Sequence, residues 1–261
     1  MKTLAALILS AGLATTASAH EYWFEAPDHR VEEGGQIAIG TFVGSDLVGQ
    51  QMPYFPRSYL SLRHFAPGAE PAFVPGRLGA LPAFTLADLA EGLHVIAVET
   101  RNSSLTYDDP EKFANFLRNE GIAYILDEHR ARGLPESGFA ETYSRSAKTL
   151  IGVGSAEGSD VVAGMTVELV ALDNPFTSAG PIGLRFDVRS TPKADARVNL
   201  FHRTPAGVVS ETPLTTDAEG VATVPDLGPG FYLANAVQME PVNDLGPTAW
   251  HSNWASLTWT R

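Results

Sequence analysis

Apolar and polar side chains alternate with a period of two over much of this sequence, as they do in strands that turn one face to a core. Glu21 to Glu25 alternates aromatic and polar residues until Pro27 ends it, and after the Gly34-Gly35 turn, Gln36 to Val43 sets Ile37 and Ile39 against polar neighbours. Tyr59 to Phe65 reads as a further strand. Gly and Pro punctuate 67–82 as loop and short edge strands, and Gly92 then introduces Leu93 to Thr100, the clearest strand of this half. Thr166 to Leu172 alternates in the same way.

The period changes at Asp108-Asp109-Pro110, where an Asp cap followed by Pro at the first helical position opens a helix. Phe113, Phe116 and Leu117 form its buried stripe, and Gly121 interrupts it. Ile122 to Arg132 continues as a second helical piece, with Glu128 and Arg132 placed to pair along it.

Asn174-Pro175 marks a boundary between halves. Beyond Gly180, Leu184, Phe186 and Val188 alternate in one strand, and Val198, Leu200 and His202 in the next. Val221 to Val224 follows the turn Thr216-Asp217-Ala218-Glu219-Gly220. Pro229-Gly230 leads into Phe231 to Val237, and Ala255 to Thr260 is the final strand. Short strands separated by turn chemistry favour an immunoglobulin-like or transthyretin-like sandwich. The predicted fold is therefore mainly β, with two β-sandwich-like halves at 20–173 and 174–261 and a helical insertion near 110–133.

Residues 1–19 break this pattern. Lys2 supplies a positive start, Leu4 to Leu13 a short apolar run, and Ala17-Ser18-Ala19 a small-residue cleavage site, which together predict an export signal. The apolar run is too short to span a bilayer and no later segment is long enough, so the chain is not expected to be an integral membrane protein. The sequence has no cysteine, which removes thiolate metal sites, disulfides and a lipid-anchoring cysteine. A formal charge of −12 becomes −13 once Lys2 leaves, a sign that repels nucleic acid and mildly concentrates cations. With 44% hydrophobic residues, and 24 Gly and 18 Pro spread along it, the chain has the composition of an ordinary globular protein, and acidity alone also fits a surface charged for solubility.

Cleavage after Ala19 would leave His20 first, with its imidazole and a free α-amine on one residue. That pair closes a chelate ring on a metal, and neutral imidazole suits zinc, copper and nickel. One such pincer leaves the ion short of ligands. His251, in the polar stretch T-A-W-H-S-N-W, is placed to meet the N-terminus if the halves join there, although a surface-loop histidine fits it as well. His64 stands near a strand end. His94 shares its strand face with Ile96 and Val98, where a histidine satisfied within the core is the commoner outcome. His29, beside a turn, and His129, on a charged helix, read as solvated. The seven histidines form no H-x-H or H-E-x-x-H pattern. Arg145 and Lys148 lie close together in an acidic chain, suited to neutralising a buried carboxylate, binding an anion or pairing at the surface.

The segments H-E-Y-W-F-E, E-T-Y-S-R-S-A-K-T-L-I-G-V-G, T-D-A-E-G before P-G-F-Y, and W-A-S-L-T-W together resemble the DUF4198 family. The resemblance implies an exported, periplasmic, β-rich protein with a divalent-metal role, since some members are described as periplasmic accessories of nickel or cobalt uptake. It carries over one ligand, His20, in the leading H-x-x-W pattern. The leading expectation is a non-enzymatic periplasmic binder that takes nickel, cobalt or copper through His20 and passes it to a membrane importer. Two others stand beside it: a copper enzyme whose N-terminal histidine and a second histidine brace the metal for oxidative attack on polysaccharides, and a structural or carbohydrate-binding module without metal. G-x-S-x-G and phosphate-cradling loops are absent.

Overall fold

The computed structural model describes residues 20–243 and 246–261, so the predicted leader at 1–19 lies outside the described residues. Its elements run β1 (Glu21–Glu25), β2 (Arg30–Val31), β3 (Ile37–Ser45), β4 (Val48–Met52), β5 (Tyr59–Phe65), β6 (Ala72–Phe73), β7 (Phe84–Leu86), β8 (Gly92–Thr100) and β9 (Ser103–Tyr107). Two helices, α1 (Pro110–Asn119) and α2 (Tyr124–Ala131), precede β10 (Phe139–Val153), β11 (Val167–Ala171), β12 (Ile182–Val188) and β13 (Thr191–Pro192). There follow β14 (Arg197–Arg203), β15 (Val209–Thr215), β16 (Val221–Val224), β17 (Phe231–Pro241) and β18 (Thr248–Thr260). The class is mainly β, as predicted. No helix among the described residues is long and apolar enough to cross a membrane.

A ten-stranded sheet orders β15-β14-β17-β18-β10-β8-β5-β6, with β2 and β9 also pairing along β10. Its seam is the parallel pair β10 and β18, in register from Glu141 opposite Trp250 to Thr149 opposite Thr258. The predicted boundary at 173/174 therefore separates segments whose strands interleave in one sheet. The 138–154 stretch, noted above for its two cations and its family resemblance but not as a strand, is the axis of the fold. Its run Ala147 to Val153 is buried on both faces, so it lacks the alternation that marks a half-exposed strand.

Each face of this sheet carries its own cover. On one face lies the small sheet β1-β3-β4, with β7 on β3, burying Tyr22, Phe24, Ile37 and Ile39 against Leu62, Ile96, Val98 and Ile151. On the other lies the sheet β11-β12-β13, with β16 on β12, burying Leu169, Leu184 and Phe186 against Val95, Leu200, Leu257 and Trp259. The helices close one end of the first face, where Phe116 stacks on Trp254 at 5.5 Å. Asp109 caps α1 by accepting from the Glu111 amide at 3.0 Å. Gly121 ends the helix with φ of +69°, and a Cβ there would meet the Arg197 side chain at 2.7 Å.

Candidate metal site

His20 immediately precedes β1, whose position is fixed from both edges. One edge pairs antiparallel with β3, Glu21 opposite Gly44 through Glu25 opposite Gly40. The other has no strand beside it and takes hydroxyls from β18: Ser256 donates to the Tyr22 carbonyl at 2.6 Å and Thr258 to the Phe24 carbonyl at 2.9 Å. Arg145 of β10 donates to the His20 carbonyl at 3.3 Å. His20 is half-buried. These bonds tether His20, and an end pinned in this way loses little entropy when it takes a ligand.

The structure does not gather the four predicted histidine ligands. Ser256 faces β1, and strand alternation therefore turns His251, Asn253, Ala255 and Leu257 to the opposite face, where Ala255 and Leu257 join the second core. His251 thus points away from β1. It lies within β18 rather than in the predicted loop, and is held by Thr142 at 2.9 Å and Asn253 at 3.2 Å. His94 lies opposite Ile151, which stands about 20 Å along β10 from the Arg145 that holds His20, at roughly 3.3 Å per residue.

His64 and His94 do meet each other. His94 Nε2 lies 2.7 Å from the Ala90 carbonyl and must carry the proton, so its Nδ1 accepts from His64 Nε2 at 2.8 Å. Burial and the neighbouring His94 push the His64 imidazole down to about 4. This is a neutral, hydrogen-bonded core pair. His29 and His129 are also buried, against the solvated reading of each. His129 accepts from the Trp250 indole at 2.9 Å and donates to the Pro135 carbonyl at 2.9 Å, which converts a residue on a charged helix into a core contact. Lys148 takes the first of the roles expected of the cation pair, buried against Asp160 at 2.7 Å.

Beside His20 opens a cavity of about 590 Å³ between α1, the β3–β4 turn, β14 and β15, lined by Glu21, Asp46, Glu120 and Glu211. Its floor is a polar row across the ten-stranded sheet, Asn199 opposite Asn235 and Asn235 opposite Ser256. Glu120, buried at the end of α1, accepts from the amides of both asparagines at 3.3 Å. Burial, then the charges of Glu21 and Glu211, push its carboxyl up to about 8. Burial likewise lifts Glu21 to about 7, with Asp46 and Glu211 adding to the rise. Glu21 Oε2, Asn199 Oδ1 and Asn235 Oδ1 are buried without a hydrogen-bond partner. Arg197 and Lys112 also line the space, so the carboxylates are only partly opposed.

These acids were not singled out in the sequence. Glu21 stands in an aromatic strand and Glu120 just before a helix-ending glycine, positions that carry no spacing signature. Such a set of oxygens suits a hard or borderline cation, or protons held at neutral pH. Among the described residues, no group of three or more His, Cys, Asp or Glu side chains is already drawn together at metal-holding distance.

Residues 17–240 match a family model described as "Domain of unknown function (DUF4198)". No curated protein matches. A solved structure, "Crystal structure of tetra-tandem repeat in extending region of large adhesion protein", is similar at 12% identity over 92% of this chain and 49% of that chain, with a TM-score of 0.21. This chain thus spans about half the length of that structure.

Proposed function

The chain belongs to the DUF4198 family, and we propose that it is an exported, periplasmic binder of a divalent transition-metal ion, nickel, cobalt or copper, which it passes to a membrane importer. The ion is taken at the His20 end of β1 by the imidazole and the α-amine that cleavage after Ala19 exposes, with carboxylate oxygens of the adjoining cavity completing the shell. The observation that carries the reading is Glu21: directly next to His20, buried, and with one oxygen that has no partner in the folded chain. A cation arriving there displaces the proton that burial keeps on this carboxyl near neutrality, and its charge then offsets that of the neighbouring acids. Arg145 works against the ion, since its guanidinium is bonded to the His20 carbonyl.

The copper-enzyme reading requires a second imidazole beside His20. His251 faces the other side of the sheet, and His64 on β5 and His94 on β8 bond each other beside the far end of β10, so the binder is the better supported of the two.

Calorimetric titration of the mature chain with each ion tests the proposal, beside a version extended by one N-terminal Gly and beside Glu21→Gln. Binding is expected to weaken at least tenfold in both. Equal binding by all three proteins would overturn it.

A further inference from the structure

On the far side of Tyr22 from the acidic cavity lies a second one, of about 580 Å³, and its wall has the opposite chemistry. Arg57, Arg101 and Arg145 line it, and no Asp or Glu does. In a chain with 30 acidic and 18 basic residues, three guanidiniums around one acid-free space run against composition. None of the three forms an ion pair among the described residues.

Arg145 is held in a fixed plane. Its guanidinium lies 4.5 Å from the centre of the Tyr143 ring and 5.9 Å from that of Tyr22, and its Nε is buried without a partner. One Nη is spent on the His20 carbonyl, and a planar cation held in this way is preorganised to give its remaining Nη donors to a carboxylate in charge-assisted hydrogen bonds. The rest of the wall mixes apolar and aromatic side chains with polar Ser58, Thr100, Asn102 and Ser103. Tyr59 is buried, while Phe55 and Met52 are 50% and 38% exposed at the cavity edge. The volume falls within the roughly 300–1,000 Å³ range of small-molecule sites.

We propose that this cavity binds a small organic carboxylate with an apolar or aromatic body, its charged end on the three arginines and its body on Tyr22, Tyr59, Phe55 and Met52. An inorganic oxyanion would leave those side chains without a counterpart. A neutral aromatic molecule would leave the guanidiniums without one. The proposal does not require the metal reading, since neither His20 nor the acidic cavity contributes a ligand contact, although Arg145 touches both places through its bond to the His20 carbonyl.

The test is calorimetry on the full chain in the presence of EDTA, with benzoate, phenylacetate and hexanoate as probes, benzamide as the neutral match for benzoate, and inorganic phosphate. At least one carboxylate is expected to bind saturably, with benzamide and phosphate at least tenfold weaker. Arg57 and Arg101 are exposed, so Arg57→Gln/Arg101→Gln is expected to keep the native circular dichroism spectrum while weakening the carboxylate tenfold or more. Arg145→Gln is expected to weaken it further. Benzamide binding as tightly as benzoate, phosphate binding as tightly as the carboxylates, indifference of the carboxylate to the double substitution, or no saturable binding by any carboxylate would each overturn the proposal.

Discussion

The Ser256 hydroxyl donates to the Tyr22 carbonyl at 2.6 Å, tying a strand near the start of the described chain to one near its end through a side chain rather than a backbone ladder. With Thr258 on the Phe24 carbonyl, it satisfies an edge of β1 that no strand covers. Buried carbonyls left without donors are costly. Ser256→Ala with Thr258→Val is expected to lower stability by about 2 kcal/mol, at about 1 kcal/mol per bond, as read from urea denaturation. If metal enters at His20, the same pair should weaken its binding. An unchanged denaturation midpoint would show that these bonds do not hold β1.

Glu120 and Glu21 give stability a particular slope with pH. Their folded values, about 8 and about 7, lie above the ordinary carboxylate value, so the folded state holds protons that the unfolded chain has released. Their contribution is complete below about 4.5 and is lost as pH rises through 7 and 8. Glu120→Gln, which keeps a neutral side chain, is expected to raise the melting temperature at pH 8.5 relative to the parent, by a stability increment on the order of a few kcal/mol, and to change it little at pH 5. The opposite trend would place a paired, charged carboxylate at this position.

Lys148 is buried with Asp160 and also donates to the Val161 and Leu169 carbonyls. Lys148→Met leaves Asp160 in the interior without its cation. A loss of about 3–5 kcal/mol is expected from chemical denaturation. The double change Lys148→Met/Asp160→Asn should recover part of it, and a double mutant no better than the single would mean that the pair is not the source of the loss.

The His64–His94 pair should stay neutral well below the usual imidazole range. Nitrogen-detected NMR is expected to show both rings as the Nε2–H tautomer, with His64 protonating only near pH 4. As pH falls below 6.5 toward that value, the unfolded chain gains protons that the folded chain refuses, and stability declines. Titration of His64 near 6.5 would contradict the bonded geometry.

What could be read from the sequence divides along physical lines. The amphipathic strands and α1 declared themselves because one face meets water, which writes a period into the residues: Ile37 and Ile39 in β3, Leu184 and Phe186 in β12, and the Asp109-Pro110 start of α1 all fall where expected. β10 did not, since Ala147 to Val153 is covered on both faces and its polar members, Lys148 and Thr149, are satisfied internally. Histidine environments were the least legible. His129 sits among charged neighbours in sequence, yet the face it turns inward is set by Phe113, Phe139 and Trp250, which pairwise periodicity along a short helix does not reveal. The acidic cavity was illegible for a related reason, because Glu21, Glu120 and Glu211 come to line one space only when β1 and α1 pack over the sheet whose edge is β15.

The parallel seam between β10 and β18 joins residues such as Thr142 and His251, 109 positions apart. As the chain emerges, the first half of the great sheet must wait with a long, unpaired margin until its distant partner arrives. Closure over such a span is slow, and naked margins invite pairing with other copies. The refolding yield of this molecule should therefore fall with concentration far more steeply than its final stability would suggest.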